Sequence, residues 1–315
     1  SQNVEQLFVF RMVQGLVSGF IAAALALVSV TAPKERAGYA IGILQTATAA
    51  GTVLGPMIGG AMADAIGFRP IFFIVAGLCF LSGMLVIGKV NDVPIEARPR
   101  AEYSLLSNYH YALGSSRLKA ALLLITLSQT ATGMVQPIFA LFVETLEVSK
   151  EYLATIAGVI FSMVGIFSLI SSPWWGKRND RKGYQKNLMV ASAGGGLAYL
   201  FHAIVYTVSP LVVLRAILGF CIGGIIPPLY SYISKQTVAD RRGAIMGIAS
   251  SFYILANIIG PISGGYIGAH FGLRTAFVVS GLILFLVTVI VSRSLHDEVP
   301  PVEQPEVPER PFVEM

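Results

Sequence analysis

Charge is scarce in this sequence. Asp, Glu, Lys and Arg together make up 12% of its 315 residues, against roughly 25% in an ordinary soluble domain, which excludes a water-soluble fold. Cysteine is scarcer still. Cys79 and Cys221 each sit inside an apolar stretch, far from His or from one another, so neither a disulfide framework nor a zinc site is expected. Carboxylates are missing from the middle of every long apolar run, since Asp64 and Glu144 lie near the ends of theirs. The net charge of +5 comes from Lys and Arg in the turns between apolar runs, where membrane topology accounts for it and nucleic acid need not be invoked. A phosphate loop is lacking too. Gly83 to Lys89 has the spacing of one, but Val90 stands where a hydroxyl residue should hold magnesium, and the string closes an apolar helix. No enzymatic activity, cofactor or metal is expected.

What is abundant is apolar length. Nine runs are long enough to cross a bilayer, at 8–30, 38–63, 71–88, 118–142, 153–173, 188–207, 211–234, 244–268 and 276–292, each near the ~20 residues a spanning helix needs. Barrel strands would alternate in polarity over about ten residues, and these runs do not. The reading is an all-α membrane protein. Sixteen Lys and Arg fall in one alternating set of connections, including Lys177, Arg178, Arg181, Lys182 and Lys186, and only Arg69, Lys150 and Arg274 fall in the other. Basic residues are retained inside, so the first set and the C-terminus are expected to be cytoplasmic in a multi-pass cell membrane protein.

The sequence also repeats itself. Arg11, Gly15 and Gly19 match Arg215, Gly219 and Gly223, and slightly further on Gly55-Pro56 matches Gly260-Pro261, Gly59-Gly60 matches Gly264-Gly265, and Gly67-Phe68-Arg69 matches Gly272-Leu273-Arg274. Three runs precede Arg215 in the second copy and none precedes Arg11 in the first. The expectation is a six-plus-six architecture of which roughly 90 residues and three helices are absent at the front. Residues 1–90 then form the remainder of an N-terminal half, 91–117 a cytoplasmic connector, 118–293 the C-terminal half, and 294–315 a Pro- and Glu-rich tail that cannot build a core.

Gly51, Gly55 and Gly59 recur every fourth residue, placing a column of small residues on one helix face. Such columns are common in membrane bundles, and the informative object is the whole string Gly51-x-x-x-Gly55-Pro56-Met57-Ile58-Gly59-Gly60. It resembles the antiporter motif on the fifth helix of the major facilitator superfamily. Arg11-Met12-Val13-Gln14-Gly15 resembles the fourth-helix motif of that superfamily. Gly176-x-x-x-Asp180-Arg181-x-Gly183-x-x-Lys186 resembles its cytoplasmic loop signature, with Gln185 where a basic residue is usual. The likeness covers the chain as helices 4 to 12 and is nearest the twelve-helix drug:proton antiporters of the MdtG-like kind.

The resemblance implies roles for some of these residues. Arg11 and Gln14 would influence proton coupling, although an arginine near a helix end can equally snorkel to water. Asp180, Arg181 and Lys186, flanked by Gly176 and Gly183, would form a charged latch, against the plainer reading of a solvated, topology-setting loop. The substrate cavity is expected to involve Gln129, Thr132 and Gln136 on the seventh helix, Tyr230 after Pro227-Pro228 on the tenth, and Tyr253 and Asn257 on the eleventh, because interrupted helices in transporters lie near substrate sites. Each could instead be interhelical glue. His202 reads as a hydrogen-bonded structural residue, with proton shuttling as the alternative.

The expectation is thus a monomeric secondary transporter exporting lipophilic drugs in exchange for protons. Uptake of a sugar or metabolite on the same fold, and a non-transporting receptor or assembly subunit, are the competing readings.

Overall fold

The computed structural model describes residues 3–17, 24, 27–28, 31, 37–90, 104–146 and 148–295. Among these residues the regular structure is helical, with no strand. The chain divides into two compact units, Ser1–Glu102 and Tyr103–Met315. The C-terminal tail and most of the connector lie outside the described residues.

The first unit contains α1 (Val4–Val17), α2 (Ala37–Ile66) and α3 (Phe68–Lys89). A single residue, Gly67 at φ +82°, turns α2 into α3, a left-handed conformation open to glycine because it lacks a Cβ. Val53 and Ala63 are buried, whereas α3 buries nothing and is apolar on all sides. An element of that kind belongs in lipid or against further protein.

The second unit opens with a short helix, α4 (Leu105–Gly114), capped by the Ser104 hydroxyl, which accepts from the Ser107 amide. It continues through α5 (Ser116–Val135), α6 (Phe139–Glu144), α7 (Leu153–Lys182), α8 (Tyr184–His202), α9 (Val208–Ile222), α10 (Ile226–Lys235), α11 (Arg242–Phe271) and α12 (Leu273–Ser294). Gly272, at φ +92°, joins α11 to α12 just as Gly67 joins α2 to α3, so the sequence repeat is also a repeat of backbone geometry. Helices α5, α8, α11 and α12 surround the core, where Phe142 packs on Phe277 with ring centres 4.6 Å apart.

Two expected spans are broken. The run 118–142 divides at Gln136, Pro137 and Ile138 into α5 and α6. The run 211–234 divides at Gly223, Gly224 and Ile225, and Pro227 and Pro228 lie in the first turn of α10, where a missing amide costs no helical hydrogen bond. Close packing explains the glycines at the second break. A side chain at Gly224 would collide with the Trp175 ring, and one at Gly223 with Ser168 of α7.

Seven helical stretches among the described residues are long and apolar enough to cross a membrane. The count of nine is not reached. The first expected run, 8–30, lies largely outside the described residues beyond Val17. The run 188–207 becomes α8, which ends at His202 and is diluted by Asn187, Ser192 and three consecutive glycines. Packing against α9 and α12 shields it, so it needs less hydrophobicity than a lipid-facing helix.

Candidate substrate face and motif sites

In the second unit α5 and α11 approach closely along one seam. Gly260 faces the backbone of Thr130 and Gly133, Gly264 faces the Met134 carbonyl, and Gly268 faces Ile138. These are the repeat partners of Gly55, Gly59 and Ala63. Small residues let helices approach until dispersion and weak polar contacts hold them, since apolar burial gives no net drive inside lipid. Along the same seam the Gln129 side-chain amide donates to Asn257 Oδ1 at 3.0 Å, and Asn257 in turn donates to the Tyr253 carbonyl at 3.0 Å. Thr132 donates to the Gln129 carbonyl at 3.0 Å and lies 3.4 Å from Gln129 Oε1. Tyr230 on α10 lies beside Ser250 and Tyr253.

Five of the six residues expected to line a cavity therefore gather around α5, α10 and α11: Gln129, Thr132, Tyr230, Tyr253 and Asn257. Gln129 is buried, while Thr132, Tyr230, Tyr253 and Asn257 are half-buried. Gln136 is exposed at the α5–α6 break. The face offers amides, hydroxyls and aromatic rings without a charge, a surface suited to holding an apolar molecule by shape with a few directional contacts.

In the first unit Arg11 Nη1 donates to Gln14 Oε1 at 3.1 Å. Both line a cavity of about 590 Å³ with Leu7, Phe10, Arg69, Phe72 and Phe73. Gly51 and Gly55 are exposed, Pro56, Gly59 and Gly60 are half-buried, and a Cβ on Gly51, Gly55 or Gly59 would meet nothing within 4 Å. The matched columns thus differ, one packed on backbone and the other open within its unit.

At the loop signature, Gly176 is half-buried, Arg181 and Lys186 are exposed, and Gly183 takes φ +82° at the turn between α7 and α8. The Asp180 side chain lies outside the described residues. Among the described residues, two side-chain bonds at this turn involve residues the motif does not name. Arg178 Nε donates to Asn187 Oδ1 at 2.8 Å, and Asn187 Nδ2 donates to the Gly183 carbonyl at 2.8 Å. Gln185, the departure from the motif, donates to the Ser292 carbonyl at 3.0 Å, tying α8 to the end of α12.

His202 is fully buried at the end of α8. Its Nδ1 lies 2.6 Å from the Ala198 carbonyl, and its ring stacks on Phe277 at 5.5 Å.

Comparison with known proteins agrees with this architecture. Residues 1–205 and 121–314 match the Major Facilitator Superfamily. The chain is 34% identical over 285 residues to YuxJ of Bacillus subtilis (strain 168), an uncharacterised MFS-type transporter, covering 90% of this chain and 72% of that one. It is 32% identical over 287 residues to the multidrug resistance protein MdtG of Rahnella sp. (strain Y9602), covering 90% and 69%, and 34% identical over 289 residues to MdtG of Salmonella paratyphi A (strain ATCC 9150 / SARB42), covering 90% and 71%. Among solved structures, a bacterial homologue of the human lysosomal transporter Spinster aligns with TM-score 0.64 at 14% identity, over 85% of this chain and 72% of that one. A D-xylose–proton symporter aligns with TM-score 0.63 at 16% identity, over 87% and 67%, and both show the shared fold. A chain whose described regular structure is all helical, with a twofold sequence repeat, the antiporter string and these relatives, belongs to the major facilitator superfamily.

Proposed function

We propose that the protein exports lipophilic small molecules in exchange for protons by alternating access of two helical halves. The observation that carries this reading is the uncharged polar and aromatic face of Gln129, Tyr230, Tyr253 and Asn257, set between two interrupted helices and α11. A neutral face of this kind binds apolar molecules of varied shape, because few of its contacts demand a particular partner group. The similarity to proteins named for multidrug resistance supports the same reading. Proton coupling rests on the antiporter string and on the Arg11–Gln14 pair, which the likeness to the fourth-helix motif ties to proton exchange. The latch role of Asp180, Arg181 and Lys186 and the cytoplasmic orientation of their loop belong to the same proposal. Sugar uptake is the weaker alternative, since the xylose symporter shares only the fold.

The test is a susceptibility panel in cells lacking their own pumps, with the protein expressed at its full natural length. Raised resistance to several unrelated lipophilic drugs, abolished by Gln129→Leu with Asn257→Leu at matched expression, is the expected result. Unchanged susceptibility alongside gained growth on a sugar would favour the uptake carrier.

A further inference from the structure

The helix α4 lies in the stretch whose charge and proline content read as a plain connector, and it has no part in the proposed transport site. It packs on α5 and α11 through Asn108, Tyr111 and Ala112, of which Asn108 and Ala112 are 4% and 0% exposed. Arg241, in the turn before α11, lies over the Tyr111 ring at 4.9 Å. The opposite side is bare. Leu105 and Leu106 are 78% and 70% exposed, and Tyr109 and Leu113 are 37% and 44% exposed. Leu105, Tyr109 and Leu113 are spaced four apart, so with Leu106 they make one apolar arc of about 100°. Basic residues stand at the same end of the bundle: Arg117 and Lys119 in the first turn of α5, and Arg241 and Arg242 where α11 begins, with Asp240 as the acid of that turn.

We propose that α4 docks its Leu105–Leu106–Tyr109–Leu113 face into the surface of an anionic phospholipid leaflet. An apolar helix face beside a cationic rim is held at a membrane surface by two additive terms, side-chain burial among acyl chains and attraction to anionic headgroups. Position favours a membrane over a soluble partner. Only Ser115 separates Gly114, the end of α4, from Ser116, the start of a spanning helix, so the arc is held near the level where that helix enters the bilayer.

The test uses the whole chain with Cys79→Ala, Cys221→Ala and Leu106→Cys, labelled at residue 106 with an environment-sensitive fluorophore. It is reconstituted in vesicles of phosphatidylcholine alone or mixed with phosphatidylglycerol. The expected result is quenching by shallow spin-labelled lipid that is about threefold stronger in the anionic vesicles, little quenching by aqueous iodide, and loss of the anionic preference in Lys119→Gln with Arg242→Gln. Strong iodide quenching in both vesicles would overturn the proposal. So would equal lipid quenching in both, or protection from both quenchers, which would mean that another part of the chain or a second copy covers the face. The readout does not depend on transport, so it stands or falls separately from drug export.

Discussion

The Arg215 guanidinium lies 3.5 Å from the centre of the Phe139 ring, with Phe161 at 5.8 Å, and its Nε and Nη2 have no hydrogen-bond partner among the described residues. Arg215 is 3% exposed. Aromatic faces attract a cation but do not replace the water it gives up. Arg215→Met should therefore keep the packing and raise stability by about 1–3 kcal/mol, read as thermal unfolding in detergent. Arg215→Ala should lower it, because the cavity beneath Phe139 would not be refilled. A Met variant less stable than the parent would show that the charge has a partner on which the fold depends.

The two glycine columns predict opposite outcomes for one substitution. Gly264→Leu drives a side chain into the Met134 carbonyl and should cost about 3 kcal/mol or more, seen as aggregation or loss of folded yield. At Gly55 an added Cβ meets nothing within 4 Å, so Gly55→Leu should change stability by less than about 0.5 kcal/mol. On the proposed function it should still abolish transport, by blocking a helix that must approach this face. Normal efflux from a well-expressed Gly55→Leu protein would remove the antiporter string from the mechanism.

Asn187 is 1% exposed and bonds both the Arg178 side chain and the Gly183 carbonyl. Replacing it with Leu leaves the half-buried Arg178 guanidinium and Gly183 carbonyl without these partners, at a cost of about 1 kcal/mol. Trypsin should then cut the turn at Arg181 and Lys182 faster than in the parent protein. An unchanged cutting rate would show that the turn is held by other means.

Orientation is tested at the same loop. Asn179 is 3% exposed and a poor site for a label, whereas Arg181 is exposed. On the proposed cytoplasmic orientation, an Arg181→Cys protein in intact cells should resist an impermeant thiol reagent and react only after the membrane is opened, as the basic character of the loop implies. Labelling from outside would invert the topology.

Much of this was legible in the sequence because apolar length, charge placement and the repeat are properties of the chain itself. Gly67 and Gly272 match in sequence and take the same backbone turn. Gln136-Pro137 and Pro227-Pro228 marked two helix breaks within a few residues. Other features depend on a partner distant in the chain. The Gln129–Asn257 bond joins residues 128 positions apart, and both side chains are ordinary helix polar groups until α5 meets α11. The Arg178–Asn187 clamp has no signal in the sequence, because Asn187 is uncharged and meets Arg178 only when α8 folds back on α7. The α4 helix was readable in principle. Ser104 as a cap, apolar residues spaced four apart and a closing Gly114 were present, but ten residues are too few for a span and were absorbed into the connector.

The most direct test of the central claim is simultaneous measurement of drug and proton movement in proteoliposomes carrying the protein at its full natural length. With an imposed pH gradient, drug should accumulate on the acidic side while protons leave it, and collapsing the gradient should stop both. Gln129→Leu with Asn257→Leu should abolish the drug flux while leaving a folded, monodisperse protein, since one interhelical hydrogen bond is worth only about 1 kcal/mol in a membrane. Drug movement that proceeds at the same rate without a gradient and without proton flux, or that survives loss of both side chains, would contradict the account.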